Sequence, residues 1–230
     1  MTAKVAGLLY LISFIFSMCA SVGASLIVDG DAASTAQNIR ASEWLFRFGI
    51  VSWLIVFLCD VALSGLFYTL LKPVNKTLAL VAAFFRLAMG AIFGLNLVSF
   101  SLALLALHGD AYLTAFSPAQ LNSLALLFLN AQTYGFAFGL VFFSLHCFVL
   151  GYLIFQSGYF PRILGVLLML AAASYLLNSF AQLLLPDYNS YTPFFLPVRV
   201  VLAFAGELSL TFWLLWKGVK VPQPATPLLA

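Results

Sequence analysis

Six runs of at least 21 residues, rich in Leu, Val, Ala and Phe and nearly free of charge, leave this chain few ways to fold. They cover Val5–Val28, Trp44–Leu71, Thr77–Leu107, Pro118–Gln156, Ile163–Leu185 and Leu196–Trp216. About 20 such residues, rising 1.5 Å each, cross the ~30 Å hydrocarbon core of a bilayer. In that core every backbone N–H and C=O needs a partner from the protein, which only helices and closed barrels supply. Period-two alternation is absent, so helices remain. The expected fold is all-α: a polytopic membrane protein, a six-transmembrane-helix bundle.

Charge is scarce, at 7% of residues against roughly a quarter in soluble domains, and mean hydropathy is +1.10. A net charge of +3 without any Lys/Arg run excludes nucleic acid as a partner. The partner the composition requires is the lipid bilayer. Six spans place Lys4, Lys72, Lys76, Arg162, Lys217 and Lys220 at one end of the bundle. Asp29, Asp31, Glu43, Asp110 and Asp187 fall at the other, with Arg40 the basic exception. The positive-inside rule then puts the N- and C-termini in the cytoplasm.

The expected organisation is a single transmembrane domain over 1–218 with a flexible, Pro-rich tail over 219–230. The first run imitates a signal peptide, since Lys4 precedes it and Val22-Gly23-Ala24 loosely fits a cleavage site. It is longer than a usual signal core, so a retained helix is expected. The link DGDAASTAQNIRASE reads as a polar outer loop. Cys19, Cys59 and Cys147 all lie inside spans and define no disulfide framework.

SPAQ opens the fourth run as a capping box, with Ser117 to cap, Pro118 at the first position and Gln120 to reach back. Its 39 residues would measure about 58 Å as one helix. The third run is over-long as well, and both surpluses fall on the acidic side. Either the two helices project beyond the bilayer around HGDAYLTAFS, or the fourth breaks near Gln132–Gly135. Small residues at four-residue spacing (Gly90/Gly94, Gly135/Gly139, Ala20/Ala24) mark positions for close helix approach. Shifted by 86 residues, DVALSGLFYTLLKPVNKTLALV lies over HCFVLGYLIFQSGYFPRILGVL. Asp60 then matches His146, Gly65 matches Gly151, and Lys76 matches Arg162.

Four ionisable residues sit deep in the runs. Counted from the basic end, Asp60, Arg86, His146 and Glu207 all lie about 15–18 Å along their helices, near the bilayer midplane. A charge at that depth costs about 2.5–3.5 kcal/mol on insertion scales and turns towards a partner or a cavity. Asp60 and Arg86, on consecutive helices, are the expected buried ion pair. Adding His146 and Glu207 makes a candidate midplane site for a ligand or proton. Its surplus negative charge could be met by a protonated His146, a protonated carboxyl or a bound cation. Arg47 and Arg199 lie nearer the acidic end, either snorkelling to headgroups or flanking an outer entrance.

No catalytic motif is present: there is no HExxH, GxSxG, P-loop or paired CxxC. No cofactor motif or metal-ligand spacing stands out. The leading expectation is a non-catalytic membrane protein whose midplane polar site binds or moves a small or lipophilic molecule. Two alternatives are an intramembrane enzyme acting on a lipid or isoprenoid, and a structural or accessory subunit of a membrane complex.

The stretch GYLIFQSGYFPRILGVLLMLAAASYLLNSF, Gly151 to Phe180, resembles a bacterial family of multi-pass membrane proteins, domain of unknown function 4386. AGLLYLI near the start, ASEWLFRFG in the second run and GELSLTFWLLWKGV in the sixth extend the likeness along nearly the whole chain. The resemblance implies a single bundle domain in a prokaryotic plasma membrane. It implies no activity, so no residue role follows from it.

Overall fold

In the computed structural model, residues 1–109 and 113–218 are described. The predicted tail over 219–230, with Lys220, lies outside them, as does Asp110. The long helices are α1 (Thr2–Ala24), α3 (Glu43–Leu71), α4 (Lys76–His108), α5 (Pro118–Gln156) and α6 (Arg162–Leu184). The sixth span is composite: α7 (Tyr188–Ala203), a π-helical turn (Phe204–Leu208) and α8 (Ser209–Trp216). All six spans are long and apolar enough to cross a membrane. Consecutive spans run up and down, and neighbours pack in the ring α1–α3–α4–α5–α6, closed by α8 returning to α1.

Two boundaries and one added helix differ from expectation. The first span ends at Ala24, four residues early, because the chain turns there towards a helix hidden in the polar link. That helix, α2 (Ala32–Ala41), is capped by Asp31, whose Oδ1 accepts the Ser34 amide at 2.9 Å. The Ser34 hydroxyl and amide together hold the Asp31 carboxyl below the usual carboxylate range. The sixth span begins at Tyr188, eight residues early, and carries Pro193 and Pro197 inside α7. Proline removes a ladder donor and reads as a break in sequence, but a helix in a bundle tolerates it when neighbours hold the chain.

Helix α5 is unbroken from Pro118 to Gln156, so the alternative of a break near Gln132–Gly135 does not occur. Its capping box forms in full: Ser117 receives the Gln120 amide, and Gln120 returns to the Ser117 amide. Ser117→Ala should cost about 1 kcal/mol, read as a lower midpoint in thermal unfolding. Helix α2 packs against the acidic ends of α4 and α5. Ala36 and Ile39 pack on Phe100, Leu104, Leu107 and Leu129, and Arg40 donates to the Leu107 carbonyl and Asn122 Oδ1. A 3.6-residue apolar stripe of two residues is too short to read as a helix against its polar composition.

Close helix contacts form at glycines, though not at all those flagged by spacing. A Cβ on Gly165 would stand 2.4 Å from the Gly151 carbonyl oxygen, so α5 and α6 cross backbone to backbone there. Gly23 and Gly49 do the same for α1 and α3. Gly135 and Gly139 instead make room for the side chains of Asn96 and Phe93, and Gly94 faces open space. The motif GYFP after α5 is a stop signal. Gly158 takes φ +71°, a left-handed conformation open to glycine. Tyr159 then bonds the Leu70 carbonyl at 2.6 Å, and Phe160 buries against Trp213.

The basic half of the bundle is densely filled, by Leu63, Leu70, Leu150, Leu153, Leu168 and Leu210 among others. The acidic half is packed as well, except beside α7. Helix α7 packs on α6 and the π turn and contributes no buried side chain, so a space remains between it and α1.

Candidate functional site

Arg86 organises the middle of the bundle. It is 1% exposed, and its Nη2 donates to Asp60 Oδ1 at 2.6 Å, the expected ion pair. Nη1 donates to His146 Nε2 at 2.9 Å and to the Tyr10 hydroxyl at 3.5 Å. A guanidinium has donors alone, so Nε2 of His146 must accept and the proton sits on Nδ1. Nδ1 in turn donates to the Ala82 carbonyl at 2.8 Å. His146 is therefore a neutral acceptor in this arrangement, which corrects the idea of a protonated His146 balancing the surplus charge. The rings of Tyr10, Phe143 and Phe67 stand 5.0, 5.6 and 5.8 Å from the guanidinium carbon, an aromatic cage that suits a desolvated cation.

Asp60 and His146, matched by the 86-residue shift, thus hold the two Nη atoms of one arginine. The α3–α4 and α5–α6 hairpins bring them there from opposite sides. The matched glycines behave differently, since Gly151 touches α6 while Gly65 meets nothing within 4 Å.

Glu207 reaches the same region from the π turn. Its Oε1 accepts the Tyr175 hydroxyl of α6, and Thr211 donates to its backbone carbonyl at 2.7 Å. Gly206 lets this turn lie on α6, because a Cβ there would meet the Leu167 carbonyl at 3.1 Å. One extra residue in the turn rotates the helix beyond it, and π turns recur at functional sites for that reason. No cationic side chain lies within ion-pair distance of Glu207 among the described residues.

Above the Arg86 layer lies a cavity of about 310 Å³. Asp60, Arg86 and Glu207 are on its wall, with Tyr10, Ser13 and Tyr175. His146 stands behind Arg86, fully buried and off the wall. Trp53, Phe57, Phe93 and Phe136 form an aromatic side, two of them stacked at 4.8 Å. Met18, Val200 and Phe204 line the cavity and are also exposed on the outside of the bundle, so the space opens laterally between α1 and α7. An edge-on contact of Phe14 with Phe204, 5.3 Å between centroids, spans that opening. Two buried polar atoms on the wall lack partners: Ser13 Oγ and Arg86 Nε.

Of the two shallower arginines, Arg199 lines the cavity and Arg47 does not. Arg47 pairs with Glu43 at 2.6 Å, and Glu43 also binds His108 at 3.1 Å. The uncharged polar residues bridge helices: Asn96 bonds the Gln132 carbonyl, Gln182 the Thr133 carbonyl, and Tyr188 bonds Asn178. Asp60, His146 and Glu207 form no metal-ligand cluster among the described residues.

Sequence reasoning missed Tyr10, Ser13 and Tyr175. Tyrosine is enriched where helices leave the membrane, so Tyr10 and Tyr175, well inside their runs, carried a usable signal. A single serine in a helix carries none.

The family model described as "Domain of unknown function (DUF4386)" matches residues 5–218, all six spans and the whole Arg86 cluster. The chain belongs to this family. A relative within reach of direct comparison is an uncharacterized protein of Archaeoglobus fulgidus, 29% identical over 177 residues, covering 76% of this chain and 87% of that protein. No solved structure matches the chain. The family therefore brings a membrane bundle and no chemistry, and what the site does must be argued from its geometry.

Proposed function

We propose that this protein binds or moves a small amphiphilic molecule, seated in the interior cavity and entering sideways from lipid. The observation that carries this is the cavity itself: about 310 Å³, apolar over most of its wall, yet touching Asp60, Arg86 and Glu207 at one end. Small-molecule pockets have that character, an apolar body with a few placed polar groups. The packed basic half forms its floor, and the lateral opening beside Phe14 and Phe204 gives an apolar tail a route to lipid. With the basic end facing the cytoplasm, the cavity opens into the outer half of a prokaryotic plasma membrane.

The accessory-subunit reading expects a sealed interior, which this cavity does not fit. An intramembrane enzyme needs an acid or base in contact with its substrate. Glu207 meets that condition on an accessible wall, but the hydroxyls beside it, of Tyr175 and Thr211, donate to its own oxygens.

The test is native mass spectrometry of protein released from lipid nanodiscs, wild type beside Ala203→Trp, which fills the cavity without touching the ion pair. Wild type should carry a discrete non-covalent adduct that the variant lacks at unchanged thermal stability. Equal adducts on both proteins, or none on either, would count against the cavity as a binding site.

A further inference from the structure

We infer that the head of the bound amphiphile is a cation, a lipophilic ammonium, and that Glu207 is the group that recognises it. This rests on the reading of the cavity as an amphiphile site and adds the ligand's charge class.

At the Arg86 end of the cavity the charges do not balance. Asp60 and Arg86 neutralise each other at 2.6 Å. His146 is a neutral acceptor behind them. Glu207 is left with a phenolic donor from Tyr175 and no cation within 4.0 Å among the described residues. A carboxylate away from water needs either a proton or a positive partner. Its two oxygens accept up to about four hydrogen bonds, and Tyr175 supplies one to Oε1.

An ammonium brings a charge and up to three donors, and accepts nothing. It supplies what Glu207 lacks. An alkanol brings one donor and no charge. An alkanoate would set a second anion near Glu207, and the charge of Arg86 is already met by Asp60. Arg199, the remaining cation of the wall, is half-exposed and stands eight residues from Glu207 along the sixth span, about 12 Å at 1.5 Å per residue and outside ion-pair distance. The aromatic side built by Trp53, Phe57, Phe93 and Phe136 suits both the hydrocarbon body and a cation passing over ring faces. The π turn is what places Glu207 here, and Gly206 is what lets that turn lie on α6.

The experiment compares decylamine, decanol and decanoate, which share a chain and differ in head charge, on nanodisc-embedded protein, with occupancy read by native mass spectrometry. Wild type should fill with decylamine at a concentration at least ten-fold below that for decanol, with decanoate weakest. Glu207→Gln should lose that preference, with an unchanged helical circular-dichroism spectrum showing that the variant is folded. Glu207→Asp should recover part of it, and Arg199→Gln should keep it. Equal binding of decylamine and decanol to wild type, a preference for decanoate, or a preference that survives in Glu207→Gln would overturn the ammonium assignment and leave the cavity reading standing. Failure of all three probes to bind would overturn both.

Discussion

Asp60→Leu should be the most damaging single change in this protein, costing about 3–5 kcal/mol, because it leaves a desolvated guanidinium without its counter-ion. Arg86 is 1% exposed and cannot snorkel, being held by His146 and Tyr10 and enclosed by three rings. Those contacts place the charge without neutralising it. The double variant Asp60→Leu/Arg86→Met should recover most of the loss, since replacing both members of a buried pair with apolar residues of similar volume is often neutral or stabilising. Unfolding in mixed micelles, followed by helicity, measures both. Asp60→Leu as stable as wild type would mean that the pair contributes nothing to the fold. A double variant no better than the single would locate the damage in packing.

Gly165→Ala comes second, at about 3 kcal/mol, the upper end for overpacking. The new Cβ would stand 2.4 Å from the Gly151 carbonyl oxygen and 2.8 Å from the Phe155 amide nitrogen. Both are backbone atoms inside helix α5, so no rotamer change relieves the clash and the two helices must separate. Gly65→Ala is the matched control. Gly65 holds the position equivalent to Gly151 under the 86-residue shift, yet a Cβ there meets nothing within 4 Å. That change should be neutral or stabilise the helix by about 0.5–1 kcal/mol. Equal effects at the two sites, measured by the same unfolding assay, would contradict the crossing.

The contrast between Gly65 and Gly151 shows where reading a sequence stops. Both are glycines in apolar helices above an inner turn. Spacing and composition treat them alike, and a neighbouring helix decides which is indispensable. Gly90 and Gly94 illustrate the same limit. Their spacing suits a helix seam, yet Gly94 faces open space and Gly90 only brushes Val61.

Charge was far more legible. A carboxylate and a guanidinium among apolar residues have so few low-energy options that depth counting alone paired Asp60 with Arg86. The same reasoning reached His146 and Glu207 but not their states. The role of His146 depends on which of its nitrogens meets Arg86 and which meets Ala82, a geometry that three helices set together. Glu207 depends on a π turn whose register is set by Gly206 lying on α6, and on a tyrosine 32 residues away.

The primary structure by itself determined the number of spans, their helical nature and the need for an interior ion pair. The reason is that lipid offers no partners to polar groups, so each run must satisfy its own backbone and hide its charges. The tertiary structure decided the cavity. Whether a bundle closes depends on how each helix face meets its neighbour, and α7, with two prolines and no buried side chain, leaves its face unmet beside α1. Hydropathy measures how much a residue avoids water, which in a membrane is the same whether it faces lipid, a neighbour or an empty space.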